Sequence, residues 1–421
     1  MPKAPRRGDG IRSVTFPPTR DAGLARLQAF LPRAGRQYRD GRNHDHGPGR
    51  HTSVSGLSPY IRHRLLSERE VLTVVLARHS PSAAGKFVQE VFWRSYWKGW
   101  LEHRPQVWAD YLRELEACRE ALGEGPDLEA EYRRAVTGET GIEPFDAWVR
   151  ELQETGYLHN HARMWFASIW IFTLGLPWQL GADFFLRHLL DGDPASNTLS
   201  WRWVGGLHTR GKTYLAEPEN IETFTGGRFA NVTGLAGVAP ALAEVERHDP
   251  QPLTRAFQRA PEGQCVLLIS EEDCSSEAFI DGCEPVEAVA VQLAAERSPM
   301  PVAQSVIQFV DEAVDDAARR AKDAFGCPVS IVNEPDRLAE VLIEACRRRG
   351  VGRVVGAYAP TGPAASLIGR AGERLAAAGI EVCLVRRAYD DAVWPHAGRG
   401  FFKLKAKIPQ VLDQLGIERS V

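Results

Sequence analysis

No apolar stretch in this sequence is long enough to cross a membrane. The longest, Trp165 to Leu176, is about a dozen residues, where a span needs roughly twenty, so it reads as a buried helix. The start, MPKAPRRGDGIRSV, is basic but has no apolar segment, which argues against a secretory signal. The seven cysteines are an odd number without a CxxC pair. Such usage points away from a disulfide framework or a zinc site and toward reduced, mostly buried thiols. Beyond residue 262 neither GxGxxG nor GxxxxGK with a following Ser or Thr occurs, so that part of the chain carries no phosphate-loop signature. Repeats and low-complexity blocks are also missing. The formal net charge of −3 excludes a generally basic nucleic-acid binder but leaves room for a local basic groove. The expectation is a cytoplasmic monomer that binds no membrane and no metal.

What is present is unevenly spread. Ten of the eleven tryptophans lie between Trp93 and Trp203, and only Trp394 falls outside. Up to about residue 229 the periodicity is helical with loops and shows no convincing alternation of period two. Residues 230–262 are rich in Pro, Gly and Ala and read as a linker. Beyond them, Cys265–Ser270, Val286–Leu293, Pro328–Asn333, Gly352–Ala357 and Ile380–Arg386 are short β-branched runs. The helical segments Ser305–Phe325, Pro335–Arg349 and Ala365–Ala378 separate the later ones. Strands alternating with helices predict a parallel, doubly wound sheet. The fold class is therefore α + α/β: a basic tail over 1–20, a helical domain over 21–229, a linker over 230–262 and an α/β domain over 263–421.

The stretch from Gly156 to Trp203 concentrates chemistry. Helical spacing puts Asn160, Arg163 and Met164 on one face, and a polar turn, Asp191-Gly192-Asp193-Pro194-Ala195-Ser196-Asn197, leads straight to Trp201 and Trp203. Carboxylates, an amide and indoles gathered by one hairpin suit a large, flat, partly polar ligand. A second helix carries Glu90, Trp93, Arg94 and Trp97 on one stripe, which means either a buried Glu90–Arg94 pair or a polar site, because an unpaired buried charge is costly. His44, His46 and His51 sit in a polar loop without ligand periodicity and read as solvated. The loop Thr52–Tyr60 carries small hydroxyl residues that suit helix capping and also a phosphate.

Taken in order, these pieces resemble the flavin-binding helical domain of the photolyase/cryptochrome family: Tyr38, Thr52-Ser53, Leu57-Ser58-Pro59-Tyr60, Glu90 through Arg94, Thr140-Gly141 with Asp146-Ala147, His159-Asn160 with Arg163-Met164, Asp191-Gly192-Asp193 with Asn197, and Trp201-Arg202-Trp203. They span about residues 24–229. The α/β domain resembles the family's other domain, which normally comes first, so the chain looks circularly permuted. Such rearrangement is tolerable when domains fold alone.

The resemblance implies an FAD cofactor. Tyr38, Thr52, Ser53, Ser55, Leu57 and Ser58 would hold its diphosphate and ribose, and Arg94 and Arg163 would add positive charge. Asp191 and Asp193 would bind the ribityl and isoalloxazine edges, and Asn197 would face flavin N5. It also implies UV-damaged DNA as partner. Glu90 and Asn160 would hydrogen-bond a flipped pyrimidine dimer, and Trp93, Met164 and Trp203 would wall it. Trp201 and Trp178 match the two inner indoles of a photoreduction chain, with Trp148, Trp165 or Trp170 as outer donor. The catalytic set is then Trp178, Trp201, Asn197 and Glu90. Three departures stand out: Arg64 replaces the usual glycine of the LSPYLxxGxLS pattern, the loop TSVSGLSP is longer than TSxLSP, and the segment after Trp203 is atypical. The function implied is blue-light-driven splitting of cyclobutane pyrimidine dimers. The alternatives are a cryptochrome-like photoreceptor without repair activity and a flavoprotein of dark redox chemistry. A second, antenna chromophore of unknown identity belongs to the same expectation.

Overall fold

The computed structural model describes residues 16–243 and 246–419. Of the expected tail, residues 1–15 lie outside the described residues. Residues 16–20 are not a tail, because Phe16 is buried against Tyr60 and Tyr157 and helix α1 (Arg20–Phe30) begins there, capped by the Thr19 side chain on the Ala22 N–H. The helical body continues with α2 (Arg36–Gly41), α3 (Ser58–Arg62), α4 (Glu68–Arg78), α5 (Pro81–Glu102), α6 (Pro105–Glu124), α7 (Pro126–Thr137), α8 (Glu143–Thr155), α9 (Asn160–Ser168), α10 (Trp178–His188), α11 (Pro194–Val204) and α12 (Pro218–Phe224). Local chemistry sets these ends. Ser67 and Glu70 form a reciprocal capping box on α4, and α7 and α8 stop at left-handed Gly138 and Gly156. Between α9 and α10 the chain makes a π-helical turn, Ile169–Thr173, which carries Trp170.

The sheet is parallel throughout, as the alternation of strands and helices predicts. Strands β1 (Gly263–Ile269), β2 (Cys283–Val291), β3 (Val329–Val332), β4 (Arg353–Ala357) and β5 (Glu381–Val385) run in the order β3-β2-β1-β4-β5. The order places β1 centrally, with Leu267 opposite Ala288 on β2 and Val355 on β4. Helices α13 (Gln304–Phe325), α14 (Leu338–Arg349) and α15 (Pro363–Ala377) cover it. Cys265, Leu267 and Ile269 share a core with α13 and the helical body, whereas Val266 and Leu268 pack with α14 and α15, the two-faced burial of a doubly wound sheet. All seven cysteines are free, and all but Cys118 are buried. No helix among the described residues is long and apolar enough to cross a membrane.

Two segments differ from their sequence reading. The described residues of 230–262 have little regular structure but are anchored: the Leu242 N–H bonds Gly205 O, the Gln251 N–H bonds His103 O, and Phe257 bridges Val385 at the end of β5. After β5 the chain leaves the sheet and returns to the helical body. Helices α16 (Ala388–Val393), α17 (Phe401–Lys405) and α18 (Ile408–Gln414) follow, of which α16 and α17 pack on α5. Trp394, isolated in sequence, is fully buried there. A Cβ on Gly99 of α5 would lie 2.9 Å from its ring, so only glycine admits this approach.

A buried ion network closes the seam between the helical body and the sheet. Arg62 donates to Gly192 O (2.8 Å) and Glu272 (2.7 Å), and Arg297 pairs with Glu271 (3.0 Å). Arg64 occupies the usual glycine position with a left-handed φ of 49°. Its guanidinium is held by Asp390 (2.7 Å), Glu68 (3.3 Å) and Asp273 (3.5 Å). The backbone thus keeps a glycine conformation while the side chain spans the seam. Holding a non-glycine residue there costs about 1–2 kcal/mol, less than a buried unpaired carboxylate would.

Candidate functional site

The site is built around the turn between α10 and α11. Gly192 is required at its centre, because a Cβ would press to 3.0 Å on the carbonyls of both Leu186 and Leu189. The flanking carboxylates have different surroundings. Asp193 caps α11 by accepting from the Ser196 N–H (2.7 Å) and lies near Arg94 (3.4 Å), Lys98 (3.6 Å) and Arg62 (3.9 Å). Burial alone would raise its pKa, but Lys98, Arg94 and Arg62 outweigh that and hold the carboxyl well below its usual range. Asp191 pairs with Arg163 (2.9 Å), and its other oxygen is buried without a partner. Arg163 also lies over the Tyr157 ring.

Asn197 is buried one turn into α11, its amide N–H donating to Ala182 O (2.7 Å). Trp201 follows at i+4. Its ring meets Phe185 (5.2 Å) and Trp170 (6.1 Å), and its indole N–H is buried and unpaired. Gly181 makes this packing possible, since a Cβ would fall 2.3 Å from Trp201 and 2.9 Å from Trp170. Trp178, the other indole that the resemblance assigns to the inner relay, sits on the helix before α11 in sequence order but has its own ring neighbours. Trp178 makes its ring contact with Tyr111 (5.6 Å), which leads to Trp108 (5.1 Å), and no ring contact joins it to Trp201 among the described residues. The π-helical turn places Trp170, one of the three outer candidates, against Trp201 instead. Trp148 and Trp165 stack on each other (5.5 Å) elsewhere.

The loop after α2 is not the solvated segment its histidines suggested. Asp45 is fully buried and takes the Trp148 indole N–H (3.1 Å) and Arg228 (2.6 Å). His51 lies between Asp45 (3.7 Å) and Glu151 (2.8 Å) and stacks on His159. Asp45, His51 and Glu151 could together hold an ion, but Arg228 and Trp148 already satisfy Asp45. Thr52, Ser55 and Gly56 border a cavity of about 560 Å³ that Arg26, Arg33, Tyr60 and Tyr157 also line. Tyr157 thus stands between this cavity and the Arg163–Asp191 pair. Ser53 packs on Gly41, and Ser58 opens α3. Leu57 is wholly in the core, which leaves only its backbone for a ligand. Tyr38 is buried edge-on to Phe30 and Phe87, and burial raises its hydroxyl pKa.

The residues expected to meet a lesion form two groups. Glu90 pairs with Arg42 (2.7 Å) rather than with Arg94; burial raises its pKa and Arg42 opposes the rise. The Arg42 carbonyl accepts from His159 (3.0 Å), so one residue ties Glu90 to the start of α9. There, Asn160 is exposed and its amide reaches the Met164 sulfur at 3.9 Å. Trp93 lies one turn from Glu90 and is stacked by Phe401, with centroids 3.6 Å apart and planes within 10°. Trp203 stacks on Tyr214 (5.8 Å).

Arg62, Lys98, Gly181 and Phe401 were not read as site residues in the sequence. Lys98 had a signal, as it extends the Glu90–Arg94 stripe by one turn. Arg62 and Phe401 had none, since their partners are more than 120 positions away.

The residues present fit a flavin nucleotide. The buried Asp191 oxygen, the Trp201 indole N–H and the Arg94 Nε lack protein partners, and such groups are costly unless a ligand satisfies them. The adjoining cavity brings hydroxyls, guanidinium groups and aromatic rings, the chemistry of a diphosphate and a flat ring.

Comparison with known proteins agrees. Residues 87–230 match the model of the FAD binding domain of DNA photolyase. The chain is similar to a deoxyribodipyrimidine photo-lyase of Thermus thermophilus, 36% identical over 211 residues that cover 49% of this chain and 48% of that protein. A protein of the same name from Streptomyces griseus is 33% identical over 238 residues, 55% of this chain and 48% of the relative. The chain therefore spans about half the length of the curated relatives it matches. Among solved structures, the class III photolyase of Agrobacterium tumefaciens shows 29% identity, a TM-score of 0.42, and coverage of 49% of this chain and 43% of that one. The likeness to the FAD binding domain of DNA photolyase thus lies in the helical body, over residues 87–230.

Proposed function

We propose that this protein is a light-driven DNA photolyase that binds FAD between the Thr52–Ser58 loop and the Asp191–Asn197 turn and splits cyclobutane pyrimidine dimers. The buried, unpartnered Asp191 oxygen beside Arg163 and the cavity carries the cofactor half of the reading. When bound, a flavin supplies blue-light-driven electron transfer to the dimer, and the protein orients donor and acceptor. Asp191 would accept hydrogen bonds from the cofactor, Arg163 balances its charge, and Arg26 and Arg33, which line the cavity, would hold the diphosphate. Asn197 gives one of its two amide N–H groups to Ala182 O, which fixes the side chain, and its carbonyl oxygen and second N–H would be left for the ring. Glu90 and Asn160 bind the pyrimidine edges, and Met164, Trp93 and Trp203 exclude water from the flipped dimer. Trp201 is the proximal electron donor and Trp170 the next. We read the order of the bodies, helical before α/β, as a circular permutation of the family's arrangement.

The test is a dimer-containing oligonucleotide with the reduced, flavin-loaded protein. Blue light should restore thymine absorbance. Bound, reduced flavin without recovery would overturn repair and leave the photoreceptor alternative.

A further inference from the structure

The stack on Trp93 comes from a part of the chain that the helical domain does not contain. Phe401 belongs to α17, beyond the sheet, is 4% exposed, and also meets Tyr96 (5.6 Å). Its parallel stack, 3.6 Å from Trp93, has the geometry of two stacked bases, so one face of Trp93 is already closed. The neighbouring Phe402 is 78% exposed. Around it, Arg399, Lys403 and Lys407 are exposed and Lys405 is half-buried, and no carboxylate occurs between Asp391 and Asp413. The basic strip is a local feature, since the whole chain carries a net charge of −3. In the same aromatic patch, His208 meets Trp97 (4.6 Å) and Trp100 (4.8 Å). The exposed Arg210 and Lys212 follow it. The patch around Trp93 and Trp97 is thus flanked by basic segments from both halves of the chain.

We propose that Arg399–Lys407 is a DNA-contacting element: Phe402 stacks on an unpaired base at the lesion, and the basic side chains follow the phosphates of that strand. The proposal rests on the repair reading. An aromatic ring set among cations is how single-stranded nucleic acid is held.

The test is dark equilibrium binding of the flavin-loaded full chain to a duplex with one thymine dimer and to its undamaged counterpart, over a salt series. Lys403→Ala/Lys405→Ala/Lys407→Ala should weaken binding to both duplexes and flatten the log affinity against log salt slope by about 0.9 per lost phosphate contact. Phe402→Ala should weaken binding to the dimer duplex about tenfold with the slope unchanged. Should the triple variant fold poorly, Lys403→Glu at an exposed position gives the same slope reading. If the wild type binds and these variants match it, the proposal is wrong even if repair is intact. Variants that lose adhesion to anionic vesicles but keep DNA affinity would also overturn it, in favour of a membrane surface. Wild type that binds but does not repair, with defective variants, supports this element while the repair reading fails. Failure of the wild type to bind either duplex overturns both.

Discussion

The two sides of the Asp191–Asp193 turn are built on opposite terms. On the Asp193 side, facing the seam, Arg62, Arg64, Lys98, Glu68, Glu271, Glu272, Asp273, Arg297 and Asp390 each have at least one ion-pair partner in the chain. On the Asp191 side, one oxygen has Arg163, the other has nothing, and a cavity opens beyond Tyr157. Two carboxylates separated only by Gly192 thus have different surroundings: one is ringed by cations of the seam, and the other keeps a buried oxygen without a partner.

The strongest way to break this contrast is at Arg64. Arg64→Ala leaves Asp390 and Asp273 buried with less compensation, and the seam should lose about 3–5 kcal/mol in urea unfolding. Arg64→Gly should lose about 1 kcal/mol less, because glycine accepts the positive φ. A glycine variant as stable as wild type would show that the backbone, and not the ion network, sets this position.

The carboxylates themselves come next. Asp193→Asn should lower the unfolding midpoint with modest effect on flavin once folded. Asp191→Asn should weaken flavin binding by about 1.5–3 kcal/mol, the weight of a hydrogen bond to a charged group, with little change in stability. Flavin titration and urea unfolding of both variants would expose any crossing of these effects.

Trp201→Phe and Trp170→Phe should both slow flavin photoreduction under steady blue light, and Trp178→Phe should slow it less. Equal slowing by Trp178→Phe would restore the relay expected from sequence. Gly181→Ala should cost about 1–3 kcal/mol by overpacking and shift the tryptophan fluorescence.

The smallest effect is on acid stability. Burial, foremost, holds His159 and His208 at about 3 and His188 at about 4. The unfolded chain takes up protons near 6.5 and the native one does not, so stability is full above about 6.5 and falls as the pH drops toward those folded values. A thermal midpoint that is flat between pH 7 and 5 would contradict this. Asp193, whose folded pKa is depressed, adds its own loss only below the ordinary carboxylate range.

Much of this was legible in the sequence because it depends on short spacing. Helices, caps and strands follow from periodicity and local hydrogen bonds, and α4 begins and ends where its pattern does. Glu90 and Trp93, Asn160 and Met164, and Asp191 and Asn197 lie within a turn or two of each other, so their grouping needs no knowledge of the fold. Where a sequence-based expectation failed, the deciding partner was remote. Glu90 chose Arg42 over the closer Arg94, and His51, read as solvated, pairs with Glu151 a hundred positions away.

The sequence by itself determined a helical body followed by a parallel α/β sheet, and which residue types cluster around a flavin-sized site. Only the tertiary structure decided that Asp193 serves the seam, that Trp170 meets Trp201, and that the chain beyond the sheet returns to cover Trp93. The reason is physical. Periodicity encodes which face of an element is buried, but ion pairs and ring stacks form between side chains whose meeting depends on how whole elements pack.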